Sequence, residues 1–424
     1  MGEIPAHWGI KRLKFILAEP LKYGANESAQ LNDRDCPRFI RITDIAEDGS
    51  LREDTFKSLP EDIAKPFILK IGDLLFARSG TVGKTFMYRE YWGRACYAGY
   101  LIRARFNLDK TVPEFISYFG NSSVYWNWIS SIFIQATIKN VSAEKYANLF
   151  LSLPLVEEQK AIASFLDRET AKIDTLIQKK KRLIELLQEK RTAIINQAVT
   201  KGLNPGVPMK DSGIEWLGEI PEHWEVVAIK QCLKSCDYGI SDSLRGDGIF
   251  KILTMEHVQN STIILPEKGS IDMVTQELIL DYNDLLFNRT NSLKLVGKVG
   301  IFKGNKKDKV SFASYLVRLQ TNEKAEPDYL NFLLNSRLVL SKARQNALPS
   351  LNQANLNPTR YGQIKIPIPP VSEQTRIVSY LSIQTTKIDT LMAKTRTSIE
   401  KLQEYRTALI SAAVTGKIDV RNNQ

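Results

Sequence analysis

One stretch of this 424-residue chain occurs twice, at a constant separation of 215 positions, and this repeat limits what the chain can fold into. Residues 172–200 and 387–415 are identical at 18 of 29 positions, and neither stretch contains proline or glycine. Strong helix formers dominate both stretches, and their apolar residues recur at spacings of three and four, which predicts two long amphipathic helices. A narrow apolar stripe of this kind is typical of a helix that packs against one long partner.

We expect each helix to be the partner of the other, so that the two form an intramolecular coiled coil. An ordinary amphipathic helix packed on a globular domain is the alternative for either copy alone, but the duplication favours the pair. The predicted seam consists of Ile173, Leu176, Leu183, Leu187, Ile194, Ile388, Leu391, Ile399, Leu402 and Leu409.

Shorter motifs outside the helices repeat at nearly the same separation. Gly-Glu-Ile-Pro-x-His-Trp at residues 2–8 returns at residues 218–224, and Asp-Leu-Leu-Phe at residues 73–76 returns at residues 284–287. A period this long excludes a solenoid, whose repeats are several times shorter. The chain is therefore predicted to consist of two homologous halves, each a globular domain followed by a long helix.

Short apolar runs bounded by Gly, Asp, Asn and Pro predict strands in both globular parts, and stretches that begin at Pro113 and Pro327 predict matching helices. The expected fold class is α+β, with two mixed α/β globular domains separated by two long antiparallel helices in a pseudo-two-fold tandem repeat. The predicted divisions are residues 1–152 (first globular domain), 153–203 (central helix), 204–366 (linker and second globular domain) and 367–424 (distal helix).

The order of these parts predicts the direction of helix pairing. The second globular domain follows the first helix, and the second helix follows that domain, so a paired second helix must run back toward the first domain. A helix over residues 157–200 extends about 65 Å at 1.5 Å per residue. We therefore expect two globular domains held apart on a stiff spacer with pseudo-two-fold symmetry.

Charge and composition narrow the class of partner. The net charge of +11 and the pI of about 9.2 suit a polyanion, with nucleic acid first and an anionic membrane surface second. No apolar run approaches the roughly 18 residues of a membrane span, and no signal-peptide pattern is visible, so we expect a cytoplasmic protein without membrane association. Four cysteines in a chain of this length do not indicate a disulfide framework.

The two helices are alike, whereas the two globular domains have diverged. Two unlike domains on a rigid spacer, in a basic chain, predict a bipartite reader of double-stranded DNA in which each domain contacts a different half-site. A coiled-coil scaffold that organises enzyme subunits without reading sequence is the alternative.

The doubled and ordered set of motifs resembles the specificity subunit of type I restriction–modification systems over essentially the whole chain. The resemblance rests on the two Gly-Glu-Ile-Pro-x-His-Trp starts, the Glu-Gln pairs at residues 158–159 and 373–374, the Lys-Ile-Asp-Thr-Leu helices and their Ala-Val-Thr ends. It implies that the globular parts are target-recognition domains and that two methyltransferase (modification) subunits dock on the helices. It also implies that restriction (translocase–nuclease) subunits complete the full assembly.

The resemblance also implies a subunit without catalytic residues of its own, and the motifs agree. The Asn-Pro pairs at residues 204–205 and 357–358 lack the second proline and the aromatic residue with which an adenine methyltransferase holds its flipped base. Residues 80–85 end like a phosphate-binding loop, but the first glycine of that motif would fall at Arg78. We predict no catalytic site, no cofactor and no metal site.

Candidate DNA contacts follow two predicted strands, where Arg, Asn and Ser or Thr are the side chains that reach base edges or phosphates. The alternative is a tight polar hairpin without DNA contact. Trp8 and Trp224 are expected to pack the domain starts, and Tyr97, Tyr100 and Tyr315 to lie in the core or on a strand surface. The candidates are Arg78, Ser79, Thr81, Lys84, Arg289, Thr290, Asn291, Lys294 and Lys298, with a second set before the long helices at Gln135, Thr137, Lys139, Asn140, Ser350, Asn352 and Gln353.

Overall fold

A computed structural model describes residues 3–46, 49–89, 93–134, 140–241, 247–350 and 353–420. The chain divides into two compact units, the first formed by residues 1–181 with 396–424 and the second by residues 182–395. Each unit combines one globular domain with parts of both long helices.

The first globular domain is a mixture of short strands and helices. Its strands are β1 (Gly9–Arg12), β2 (Lys22–Tyr23), β3 (Arg38–Ile40), β4 (Leu74–Ala77), β5 (Thr85–Met87), β6 (Ala95–Tyr97), β7 (Leu101–Ala104) and β8 (Phe150–Leu153). Its helices are α1 (Glu61–Ala64), α2 (Pro113–Phe119), α3 (Ser123–Ile134) and α4 (Ala143–Ala147), and the long helix α5 (Val156–Lys201) follows.

The second globular domain is built in the same way and is followed by the second long helix. Its strands are β9 (Met209–Asp211), β10 (Glu219–Pro221), β11 (Glu225–Ala228), β12 (Leu233–Tyr238), β13 (Lys251–Leu253), β14 (Val258–Gln259), β15 (Thr262–Ile263), β16 (Leu285–Asn288), β17 (Thr290–Asn291), β18 (Val299–Ile301), β19 (Val310–Phe312), β20 (Leu316–Thr321), β21 (Leu348–Ser350), β22 (Gln353–Asn355) and β23 (Lys365–Ile368). Its helices are α6 (Pro327–Leu334), α7 (Arg337–Gln345), α8 (Pro358–Gly362) and the long α9 (Val371–Val414).

Strand order is the same in the two domains. The sheet β2-β7-β4-β5 of the first corresponds to β12-β20-β16-β18 in the second, where the sheet continues through β15 and β14. A parallel pair, β3 with β6, matches β13 with β19, and an antiparallel pair, β1 with β8, matches β11 with β23. The predicted α+β class and tandem repeat are therefore confirmed, and the repeat extends to strands whose sequences have diverged.

The two long helices run antiparallel within each unit. In the first unit, Ile162 and Leu166 near the start of α5 share a core with Ile410 and Ala413 near the end of α9. In the second unit the opposite ends of the helices meet, because the last turns of α5 share a core with the first turns of α9. Gly202, with a φ of 75°, follows α5 in the left-handed conformation that commonly ends a helix.

The buried face of each helix follows one heptad row. Adjacent residues on a helix point about 100° apart, so a row one position away faces a different direction. The row consists of Ile173, Ile177, Lys180, Ile184, Leu187, Arg191, Ile194 and Ala198 in α5, and of Ile388, Met392, Thr395, Ile399, Leu402, Arg406, Leu409 and Ala413 in α9, all buried or half-buried.

Three predicted seam residues lie outside this row. Leu176 and Leu391 are 43% and 45% exposed, and Leu183 is exposed as well, so their assignment to the seam is wrong. The sequence offers two neighbouring apolar rows on α5, and the helix pair buries the row that contains Ile177 and Ile184. Spacing alone does not distinguish the two rows.

Two ion pairs join the helices at equivalent places of the repeat. In the first unit Arg406 Nε lies 2.9 Å from Asp174 Oδ1, and in the second unit Arg191 Nε lies 3.0 Å from Asp389 Oδ1. Each arginine occupies a seam position, and each aspartate belongs to a Lys-Ile-Asp-Thr-Leu motif. Because both aspartates are about half exposed, each pair contributes roughly 0.5 kcal/mol to stability and acts mainly on the register of the helices.

A buried glutamine attaches each globular domain to the start of its helix. The Gln159 carboxamide accepts from Thr111 Oγ1 and Val112 N, both at 2.8 Å, and donates to the carbonyls of Lys110 and Pro154. Gln374 does the same in the second unit, accepting from Glu326 N at 2.8 Å and donating to two carbonyls.

The glutamate beside each glutamine binds the repeated His-Trp motif. Glu158 lies 2.9 Å from His7 Nε2 and accepts from Trp8 Nε1 at 3.2 Å. In the second unit Glu373 makes the matching contacts with His223 and Trp224. Both tryptophans are buried, as expected for residues that pack the domain starts.

Replacing Gln159 with leucine removes the hydrogen-bond partners of several buried backbone groups. An unpaired buried polar group costs about 1–3 kcal/mol, so Gln159→Leu is expected to lower the free energy of unfolding by about 3 kcal/mol. Urea unfolding followed by circular dichroism measures the change. The control Gln178→Leu, at an exposed position of the same helix, should change stability by less than about 0.5 kcal/mol. Equal effects of the two substitutions would contradict the role given to Gln159.

Candidate nucleic-acid interface

An arginine follows the central strand of each domain, and its backbone N–H and its carbonyl each make a hydrogen bond to another chain segment. Arg78 follows β4, its N–H donates to the Tyr100 carbonyl at 3.0 Å, and its carbonyl accepts from Val141 at 3.0 Å. Arg289 follows β16, and it makes the same two bonds with Tyr315 and Leu356, at 3.1 and 2.8 Å. These bonds bring three separate chain segments together beside each arginine.

In the first unit the arginine lies between a tyrosine ring and an asparagine. The Arg78 guanidinium carbon is 4.6 Å from the centre of the Tyr23 ring, and Nε approaches Asn140 Oδ1 at 3.5 Å. Tyr100 is 65% exposed beside it. We call Tyr23, Arg78, Tyr100 and Asn140 the first cluster.

The second unit repeats the arrangement. The Arg289 guanidinium carbon is 5.2 Å from the centre of the Tyr238 ring, and Nη2 donates to Asn355 Oδ1 at 3.1 Å. Its Nε is buried without a hydrogen-bond partner, and Tyr315 is 45% exposed. We call Tyr238, Arg289, Tyr315 and Asn355 the second cluster. Its tyrosines and asparagine stand 215 positions after those of the first.

The chemistry of the clusters suits a polyanionic, planar ligand. A guanidinium stacked on an aromatic ring keeps its positive charge while its orientation is fixed. Exposed tyrosines and amides contribute hydroxyl donors, flat apolar faces and amide hydrogen bonds, which are the groups that contact phosphates, sugars and base edges in protein–DNA complexes.

Around the first cluster the predicted residues have different surroundings. Thr81 is exposed and Ser79 is half-buried. Lys84 donates from Nζ to the carbonyls of Ile45 and Ala46, each at 2.9 Å, so two of its N–H groups are directed into the domain. Four further candidates lie outside the described residues: Gln135, Thr137, Lys139 and Asn352.

The second cluster is bordered by a small sheet. Thr290 and Asn291 form β17, pair with β22 and are about nine-tenths buried, so they belong to a strand and not to an open loop. Lys294 and Gln353 are exposed, as is Ser350, and Lys298 is half-buried. Arg344 donates to the Lys294 carbonyl at 2.6 Å, and burial lowers the pKa of its guanidinium.

Sequence reasoning did not single out Tyr23, Tyr238 or Asn355, and it expected Tyr100 and Tyr315 in the core or on a strand surface. The signal was available, because adding 215 to Asn140 gives Asn355 and adding 215 to Tyr23 gives Tyr238. Similarity outside the repeated motifs is low in these segments, so the pairs are recognised only when the offset is applied position by position.

Within the described ranges, no group of three or more His, Cys, Asp or Glu side chains is placed to hold a metal ion. In that same part of the chain, none of the helices combines the length and apolarity required to cross a bilayer.

Comparison with protein families gives two matches to one family, described as the type I restriction modification DNA specificity domain, over residues 28–186 and 221–401. The chain is 30% identical over 204 residues to the putative type I restriction enzyme MjaX specificity subunit of Methanocaldococcus jannaschii. It is 24% identical over 313 residues to the EcoKI specificity subunit of Escherichia coli K12. The first alignment covers 47% of each chain; the second covers 72% of this chain and 65% of the relative.

Two solved structures have the same fold. A chain from a structural study of complex assembly and conformational transition of the type I R-M system superposes with a TM-score of 0.77 at 14% identity, covering 99% of this chain and all of that one. The HsdS subunit of Thermoanaerobacter tengcongensis superposes with a TM-score of 0.54 at 15% identity, covering 98% of each chain.

Proposed function

Because this chain belongs to the family of type I restriction modification DNA specificity domains, we propose that it is the subunit that reads DNA sequence for such a system. Each globular domain contacts one half of a two-part, asymmetric duplex target. The chain itself carries no active site and directs the methyltransferase subunits that dock on it, with restriction subunits joining the complete complex.

The observation that carries this proposal is the repetition of the cluster in two domains whose sequences have otherwise diverged. Both clusters present an arginine stacked on a tyrosine, an asparagine amide and an exposed tyrosine, although the loops around them share little sequence. A common anchor surrounded by variable loops suits two domains that bind the same kind of ligand, duplex DNA, while reading different bases. The net charge of +11 favours the same ligand.

The exposed leucines support the docking part of the proposal. Leu176 and Leu391 occupy equivalent positions of the two Lys-Ile-Asp-Thr-Leu motifs, and both side chains point away from the seam. Leu183 and Leu186 add to the exposed apolar surface of α5. An apolar surface on an otherwise charged helix is typical of a protein–protein contact, and two equivalent surfaces suit two copies of one methyltransferase subunit.

Removal of the exposed tyrosines tests the reading function. Tyr100→Ala is expected to weaken binding of the assembled complex to its target duplex about tenfold, which corresponds to roughly 1.4 kcal/mol. Base changes in the half-site bound by the first domain should then lower the affinity less than they do for the wild type. Tyr315→Ala should have the same effect for the half-site bound by the second domain. Mapping of methylated bases in the host identifies the target. Fluorescence anisotropy with a duplex of that sequence then measures both effects.

Phe15→Ala and Tyr282→Ala are the matched controls for these variants, since each removes an exposed aromatic ring from the same domain but outside the clusters. Both controls should bind as the wild type does. A scaffold that reads no sequence would show equal affinity for target and random duplexes and no effect of the tyrosine variants. Either result would refute the reading function.

Docking is tested by the number of methyltransferase subunits bound. Leu176→Ser or Leu391→Ser alone should reduce the complex from two methyltransferase subunits to one, because a buried leucine at an interface centre contributes about 1–3 kcal/mol. The double variant should bind none at micromolar concentration. Native mass spectrometry counts the subunits, with Leu108→Ser, an exposed leucine of the first domain, as the control. Two subunits retained on the double variant would contradict this docking site.

A further inference from the structure

The second unit has an open groove of about 690 Å³ that the proposed reading clusters do not include. Its walls are the linker at residues 213–216, the end of α7 and the segment from α8 into β23. Its polar lining consists of Lys342, Gln345, Asn346, Arg360, Gln363 and Lys365.

The charge of the groove is uniform. Three of its lining side chains are cationic, three are amides, and among the described residues that line it none is acidic. Glu215 belongs to the linker but is exposed and does not line the groove. Within the described parts of the chain, no ion pair neutralises Lys342, Arg360 or Lys365. Three unpaired cations beside amide donors form a surface for an anion with several separated charges.

One edge of the groove adjoins the second cluster. Leu348 lines the groove and pairs across β21 and β22 with Asn355, the residue that accepts from Arg289. Opposed residues in an antiparallel pair lie about 5 Å apart, so a ligand that crosses the second cluster reaches the groove within a few ångströms. A duplex carries one negative charge per roughly 1.7 Å of its axis and can span both surfaces.

The first domain lacks this set of charges. Subtracting 215 from the three cationic positions gives Asn127, Lys145 and Phe150, so one cation stands where the second domain has three. The set of three cations is therefore a property of one half of the repeat.

We propose that this groove binds the phosphodiester backbone of duplex DNA beside the second half-site, so that the second domain supplies more of the salt-dependent affinity than the first. The inference rests on the proposed reading function for its ligand. It adds an asymmetry, because two related domains then differ in how much of their binding energy depends on phosphate contacts.

The salt dependence of DNA binding tests this inference. A triple variant, Lys342→Gln, Arg360→Gln and Lys365→Gln, is compared with the wild-type chain in its assembled complex between about 50 and 200 mM salt. The probes are the mapped target duplex and a random duplex of equal length. Each phosphate contact contributes about 0.9 to the slope of log K against log salt, so the variant slope should be shallower by about 2 to 3 on both probes.

The control removes the same charge elsewhere in the second domain, through Lys268→Gln, Lys307→Gln and Lys324→Gln, all at exposed positions. This control should leave the slope within about 1 of the wild type. An unchanged slope in the groove variant, or an equal change in the control, overturns the inference. If the groove variant keeps its slope but loses methyltransferase subunits, the groove binds protein instead, which also overturns it. The reading function fails separately, when the wild type does not distinguish target from random duplex.

Discussion

The fold depends on the antiparallel pairing of α5 with α9 in one register. Apolar seam residues supply most of the attraction, but they recur regularly and would tolerate a shift by a heptad. The pairs Asp174–Arg406 and Arg191–Asp389 disfavour such a shift, because a shift of either helix separates both pairs. Arginine suits these places, since its stem can pack along the seam while its guanidinium reaches the aspartate on the neighbouring helix.

The repeated motifs are explained by their positions relative to this pair. The Glu-Gln motif stands at the start of each long helix, where the glutamine satisfies backbone groups before α2 or near α6 and the glutamate binds the His-Trp motif. Gly416 after α9 lies against Pro5 and Trp8, and Gly202 after α5 lies against Trp224. In each unit the motifs thus meet where one long helix begins and the other ends, and the domain is fixed to both helices.

Much of this could be predicted from the sequence, because the 215-residue repeat shows two related halves, two helices and their ends. The row of α5 that packs against α9 could not be predicted, since α5 has two adjacent apolar rows and Leu176 looks as suitable as Ile177. The clusters were only half predicted. Arg78 and Arg289 follow recognisable strands, whereas Tyr23 and Asn140 come from distant segments that only the folded sheet brings to the arginine.

The surfaces of the molecule fit a division of roles between the repeated and the diverged parts. The helices present equivalent exposed leucines, as two identical partners would require, while the domains surround equivalent clusters with different loops. In the proposed function, the basic groove of the second domain extends this difference from base reading to phosphate binding. The similar helices then bind identical partners, and the different domains bind an asymmetric target.

Cross-linking of the helix pair tests the central claim most directly. In a chain whose Cys36 and Cys236 are replaced by serine, cysteine is introduced at Leu187 together with Ile388 or Met392, its neighbours in one apolar cluster. Mild oxidation should give an intramolecular disulfide in at least one of these pairs. Cross-linking of Leu187→Cys to Leu402→Cys instead, the position that a parallel in-register pairing would place beside it, would contradict the account.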